Sequence, residues 1–271
     1  MRVALLYSGL PRMWEECVAT HRALFPGTQI GVFCHFWDTI QDEERRRLLA
    51  ALRPTLCHFE KSPDYSVVDK YDWLRRDLIN VPSRMVSQYA SWQRVGTLFT
   101  PYAPLFDVVV RLRSDLYFHQ PLQLDLEAIA QKRVGFVGYE WTETKGVIFD
   151  AFALGTPNFM VHFHMLLSRL WDYTSDCMFN PELLVTRHIQ SYHKKATIQM
   201  QDRLPFFIRR PHMAGWPPDR CLAEGPGVAK WRDPEIHNAH LNYHGKISGE
   251  AGIEYVNRFR SRQLRLPETE D

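Results

Sequence analysis

Cysteine is sparse in this sequence and shows no pairing. Cys17, Cys34, Cys57, Cys177 and Cys221 are scattered, with no two within four residues of each other. That spacing excludes a zinc-type pair and a disulfide framework. It predicts reduced thiols in or near a core, and hence a reducing, cytoplasmic compartment. Long apolar runs are missing too. Nothing approaches the roughly 18 residues of a membrane span, and residues 3–7 are too short a run for the apolar core of a secretory signal. Nor does one sign of charge dominate. Lys and Arg number 33 against 31 Asp and Glu, a net charge of +2, whereas nucleic-acid binders carry a basic surplus. No nucleic-acid partner is expected. Glycine signatures are incomplete: Ser8-Gly9-Leu10-Pro11-Arg12 lacks the later glycines of a dinucleotide fingerprint and the Gly-Lys-Ser/Thr ending of a P-loop.

What is present is an ordinary globular composition, 45% hydrophobic and 24% charged over 271 residues. A chain of this size can bury a core without staples. Residues 3–7 form an unbroken apolar run, as in a strand covered on both faces. A turn at 8–12 leads to a helix over 14–24, stopped by Phe25-Pro26-Gly27. Strands follow at 29–36 and 55–59, with a helix at 42–52 between them, charged on one side and carrying Leu48, Leu49 and Leu52 on the other. A polar stretch over 60–82 has room for a short helix at 71–78. Met85, Tyr89, Trp92, Val95 and Phe99 then recur at helical spacing over 83–100. Residues 106–118 read as one strand. Further strands are expected at 134–138, 147–154 and 198–208, with helices at 157–171 and after Asn180-Pro181-Glu182. The chain beyond Pro211 is loop-rich. Alternating strands and helices predict one α/β domain over 1–271, Rossmann-like, with a mostly parallel sheet, helices on both faces and an irregular C-terminal part. Ligands of such sheets bind at the carboxyl ends of the strands, which directs attention to Ser8–Arg12, Trp37-Asp38 and Arg113–Asp115.

In a strand over 106–118, Arg111, Arg113 and Asp115 share one face. Three charges on an otherwise apolar strand need partners, ligand or water. They suit either an internal ion-pair cluster or a phosphate ligand, which guanidinium groups clamp while a carboxylate holds a divalent cation.

Arg113-Ser114-Asp115, after a hydrophobic strand and before Leu116-Tyr117-Phe118, resembles the short acidic motif of nucleotide-sugar-dependent glycosyltransferases with the GT-A fold. Ser8-Gly9-Leu10-Pro11-Arg12, Val32-Phe33-Cys34-His35-Phe36-Trp37-Asp38 and Phe149-Asp150-Ala151-Phe152-Ala153-Leu154-Gly155, followed by Pro181-Glu182, fit the same order. Together they resemble bacterial glycosyltransferases of capsule and lipopolysaccharide synthesis, the WavE-like group included, over residues 2–190. The resemblance implies a GT-A-like domain that moves a sugar from a nucleotide-sugar donor to a glycan or glycolipid acceptor, residues 1–120 being its nucleotide-binding half and 121–271 its acceptor-side half with a C-terminal tail. Ser8, Gly9, Arg12, Trp37, Asp38, Arg111, Arg113 and Asp115 would bind the donor. Asp150 and Glu182 would be the catalytic carboxylates on the acceptor side, one of them the base if the mechanism inverts. Asp115 and a C-terminal histidine, His240 or His244, would hold Mg2+ or Mn2+. In one respect the motif departs from the family pattern: Arg113 stands where a carboxylate is usual. Arg111 and Arg113 therefore offer an alternative to the metal for neutralising the leaving diphosphate.

Other features keep two readings. Trp141 and Trp216 sit in loops, where a ring either stacks on a sugar or packs locally. Arg258, Arg260, Arg262 and Arg265 form either a solvated tail or a weak electrostatic tether to an anionic membrane. Two rival functions are a sulfotransferase, which also binds a phosphate-rich donor near the first strand, and a catalytically silent nucleotide- or glycan-binding module.

Overall fold

The strand β1 (Arg2–Gly9) lies inside the sheet, which explains its apolar run. It pairs in parallel with β2 (Gln29–Trp37) on one side and with β4 (Val108–Leu112) on the other. A computed structural model describes residues 1–71, 81–119, 122, 124–141, 144–174, 177, 179–192, 197–201, 206–208 and 217. The chain divides into Met1–Leu222 and Ala223–Asp271, and every described residue belongs to the first unit.

β3 (Leu56–Glu60) adds in parallel to β2, and β7 (Thr144–Gly155) adds antiparallel to β4. β6 (Phe136–Trp141) and β8 (Ile198–Gln201) complete a seven-stranded sheet of order β3-β2-β1-β4-β7-β6-β8. A separate two-stranded sheet joins β5 (Leu116–Phe118) to β9 (Phe206–Ile208). The domain is thus α/β with a mostly parallel sheet, as the sequence predicts.

Alternation along the strands builds two cores. Val3, Leu5 and Tyr7 face one side with Val32, Cys34, Val108 and Val110, beneath α1 (Trp14–Ala23) and α2 (Asp42–Leu52). Ala4, Leu6, Phe33 and Val109 face the other, beneath α3 (Pro82–Phe99). That second core also takes in α5 (Pro157–His164), α6 (Leu166–Tyr173) and α7 (Pro181–Gln190). The short α4 (Leu126–Ala130) contributes Ile129 to the first core. Covering both faces is what requires β1 to be apolar at every position from Val3 to Tyr7. No helix among the described residues is long and apolar enough to cross a membrane.

Three expectations need correction. The single strand over 106–118 is two: β4 ends at Leu112, Ser114 and Asp115 form a turn, and β5 belongs to the other sheet. The reason is local, because Ser114 is drawn toward the turn after β1 and Arg113 pairs with Asp115. The helix over 157–171 breaks at Met165 into α5 and α6. The strand over 198–208 is likewise two strands, β8 and β9, in different sheets. The expected helix at 71–78 falls almost wholly outside the described residues, and the preceding segment forms a 3-10 helix, Ser66–Lys70.

Candidate functional site

Because the chain leaves β1 toward β2 and β3 while β4 lies on its opposite side, the sheet reverses its order between β1 and β4. A crevice at the carboxyl ends of such strands is the ordinary ligand site of an open α/β sheet. A cavity of about 790 Å3 opens there. Ser8, Gly9 and Arg12 reach it from the end of β1, Trp37 from the end of β2, and Arg111, Arg113 and Asp115 from the end of β4. Seven of the eight residues expected to bind the donor thus line one cavity. Asp38 is not among them: its carboxylate takes Arg45 at 2.5 Å on the surface.

The turns that form the cavity wall are tied together. Gly9 has φ +101°, a conformation that a side chain strains, and its N–H donates to Ser91 Oγ of α3 at 2.6 Å. The buried Ser114 accepts from the Arg12 N–H at 3.2 Å, and its hydroxyl faces the Leu10 and Arg12 carbonyls at 3.3 and 3.1 Å. One serine therefore fastens the turn after β4 to the turn after β1, which places Arg12 beside Arg113 and Asp115.

The cavity is cationic. Arg12, Arg84, Arg111 and Arg113 all line it, against the carboxylates of Asp64 and Asp115. Arg113 grips Asp115 through two parallel bonds, Nε to Oδ1 at 2.8 Å and Nη2 to Oδ2 at 2.7 Å. Burial pushes the Arg113 guanidinium down, but the Asp115 charge and its hydrogen bonds raise it overall. Arg111 is 1% exposed. Its guanidinium lies 4.0 Å over the Trp92 ring and donates through Nη1 to the Asp150 carbonyl. Burial lowers it to about 9, against the attraction of Asp150, so it stays charged at neutral pH. Arg111 Nε and Ser8 Oγ have no hydrogen-bond partner among the described residues, although both are buried and both residues line the cavity. A buried polar group left unpaired costs about 1–3 kcal/mol, and an anionic ligand in the cavity would supply the missing acceptor.

The two expected catalytic carboxylates stand just outside the lining. Asp150 on β7 is buried, and its Oδ2 accepts from Gln88 Nε2 at 2.5 Å. Gln88 and Arg111 line the cavity, so Asp150 acts one side chain behind the wall. Glu182 is half-buried in the first turn of α7, where Asn180 caps the helix by accepting from the Leu183 N–H at 3.1 Å. Its charge bears on Arg113 and Tyr89. His188, farther along α7, is a core residue held by Tyr173 Oη at 2.9 Å and the His162 carbonyl at 2.8 Å. His237, His240, His244, Trp216, Arg258, Arg260, Arg262 and Arg265 lie outside the described residues. Trp141, expected in a loop, is instead the last residue of β6, paired with Thr144 of β7, and its side chain lies outside the described part.

The expected Mg2+ or Mn2+ does not fit the donor set of this cavity. Such an ion seeks several oxygen ligands. Asp115 is engaged by Arg113 through both oxygens, and four guanidinium groups share the lining. The residues present are arranged to neutralise an anion with arginine.

Sequence reading missed the contribution of α3. Ser83, Arg84, Ser87 and Gln88 line the cavity, and Ser62, Asp64 and Ser66 approach from the segment after β3. The α3 signal was available: those four polar residues repeat at one- and four-residue steps, a polar stripe beside the apolar one used to find the helix. No protein-family model and no curated protein matches the chain.

Proposed function

We propose that the protein is a glycosyltransferase with a GT-A-like domain, taking a sugar from a nucleotide-sugar donor to a glycan or glycolipid acceptor. The observation that carries this reading is the arginine-lined cavity at the carboxyl ends of β1 and β4, where buried Arg111 Nε and Ser8 Oγ lack partners among the described residues. Guanidinium forks match phosphate oxygens, and the volume is that of a small-molecule site. The donor diphosphate lies against Arg12, Arg84, Arg111 and Arg113, with Gly9 permitting close backbone approach. Catalysis is positioning plus stabilisation of the departing charge. An acceptor hydroxyl oxygen bonds to the anomeric carbon, the bond from that carbon to the diphosphate oxygen breaks, and the diphosphate leaves with the electron pair. In an inverting course the hydroxyl proton passes to Glu182. Asp150 holds Gln88 and Arg111 in place and is a positioning residue.

The test is to incubate the protein with UDP-, GDP-, TDP- and CMP-sugars and a mixed glycan acceptor, and to measure free nucleotide released. Acceptor-dependent release with one donor supports the proposal. Turnover only with a sulfate-donor nucleotide would make it a sulfotransferase, and nucleotide binding without release would make it a silent module.

A further inference from the structure

A second grouping of chemistry-bearing side chains lies at the edge of the sheet, beside the cavity. The parallel register of β2 and β3 sets His35 directly beside His58, and Trp37 beside Glu60. Residues two apart on a strand share a face, so His58 and Glu60 project from β3 on the face where His35 projects from β2. Their donor atoms all lie within 4.8 Å of one another, and His35 Nε2 is 3.0 Å from Glu60 Oε1. The two rings stand edge to face, with centroids 5.9 Å apart.

The surroundings of His35 are those of a metal-bound imidazole. Its Nδ1 lies 2.8 Å from Ser91 Oγ. That hydroxyl already accepts from the Gly9 N–H at 2.6 Å and directs its own proton to the His35 carbonyl at 3.1 Å. With the hydroxyl proton so placed, Nδ1 is the donor to Ser91 and the Nε2 lone pair is free for a metal. In the other tautomer Ser91 donates to Nδ1 and the Nε2 N–H donates to Glu60, which is the metal-free state of the pair. A divalent ion would select the first tautomer by joining Nε2 to the carboxylate, whose atoms already stand 3.0 Å apart. A ring nitrogen donating to a neighbour while the other carries the lone pair is how proteins orient histidine ligands. Arg94, whose Nε pairs with Glu60, supplies positive charge from one side. Its side chain is 39% exposed and lies over the Trp37 ring, with room to swing outward.

We propose that His35 Nε2, a ring nitrogen of His58 and the Glu60 carboxylate bind a zinc-type divalent transition-metal ion, with Arg94 as its competitor. Two imidazoles and one carboxylate form a borderline-soft set that suits zinc, cobalt or nickel over magnesium or calcium. The ion would pin the edge strand β3 to β2 and hold the start of the segment carrying Ser62 and Asp64. It would also sit one residue behind the cavity wall, since the Trp37 ring packs edge-on against His35 at 4.8 Å and lines the cavity. The site stands independently of the donor reading.

The experiment titrates the full chain, stripped with chelator, with Co2+ and Zn2+ alone. Ligand-field absorption of Co2+, calorimetric stoichiometry and Tm are followed. One ion per chain, a Co2+ spectrum abolished by excess Zn2+, and a Tm raised by several degrees are expected. His58→Gln and Glu60→Gln should each weaken binding at least tenfold, and His58→Gln should leave the metal-free Tm near wild type because His58 is exposed. Arg94→Met should tighten binding about tenfold by removing the competing cation. An intact Co2+ signal in both His58→Gln and Glu60→Gln would overturn the proposal and place the metal elsewhere, the histidines at 237–244 being the control to remove. Absence of any binding to wild type and to Arg94→Met would overturn it outright.

Discussion

Arg113 holds both oxygens of Asp115, two residues along the chain, at 2.8 and 2.7 Å. This fork converts what the sequence offers as a metal-binding carboxylate into half of an ion pair. It also keeps Arg113 oriented at the cavity wall, where its remaining N–H donors can meet an anion.

Removing one partner of a largely buried pair leaves the other charge uncompensated. Asp115→Asn is therefore expected to lower stability by about 3 kcal/mol, seen as a lower urea midpoint with an unchanged slope. A stability equal to wild type would mean that Asp115 is not structural and would return it to the role of a metal ligand.

Arg84 lines the cavity from the exposed first turn of α3 and has little packing to lose. Arg84→Ala should weaken binding of the nucleoside diphosphate by about tenfold, the worth of one charged hydrogen bond, and leave Tm within a degree or two. Calorimetry and a melting curve on the same sample separate the two effects.

At Gly9 a methyl group would meet nothing within 4 Å, but φ is +101°. Gly9→Ala is thus expected to cost about 1–2 kcal/mol through backbone strain and not through a clash. Relaxation of the turn should also free the Ser91 contact and weaken nucleotide binding. An unchanged Tm with unchanged binding would contradict this role for the turn.

His21, His164 and His188 are buried, and burial lowers them to about 4, about 4 and about 3 from an ordinary 6.5. Each ring stays neutral in the folded chain where the unfolded chain takes up a proton. The unfolded state therefore binds more protons between about pH 4 and 6.5, and stability falls as pH falls through that window. The loss approaches about 1.4 kcal/mol per histidine per pH unit. Urea midpoints at pH 7, 6 and 5 measure it; a flat series would contradict the burial.

Where local pattern decides structure, the sequence was readable. The helix at residues 42–52 falls where its charged and leucine faces predict, and the apolar run at 3–7 lies within β1. Ser8, Trp37 and Arg113 come from three separate segments, and the rule that ligands sit at the carboxyl ends of strands was enough to group them. Other features depend on contacts that no window of sequence contains. The break after Leu112 follows from Ser114 bonding to Leu10 and Arg12, about a hundred residues away. Asp38 was drawn off by Arg45 on α2. His35, His58 and Glu60 meet only through the register of β2 with β3, which the sequence leaves open.

The most direct test of the central claim is nucleotide binding to the cavity. Thermal melts with UDP, GDP, CMP, TDP and the sulfate-donor nucleotide, each in Mn2+ and in EDTA, would be compared between wild type and Arg84→Ala. At a hundredfold excess over Kd a ligand adds about 2.7 kcal/mol, a plainly visible shift. The account predicts a shift with one sugar-carrying nucleotide class, of similar size in Mn2+ and in EDTA when each is compared with its own ligand-free control, and much reduced in Arg84→Ala. No shift with any nucleotide, or one that requires Mn2+ and survives Arg84→Ala, would contradict it.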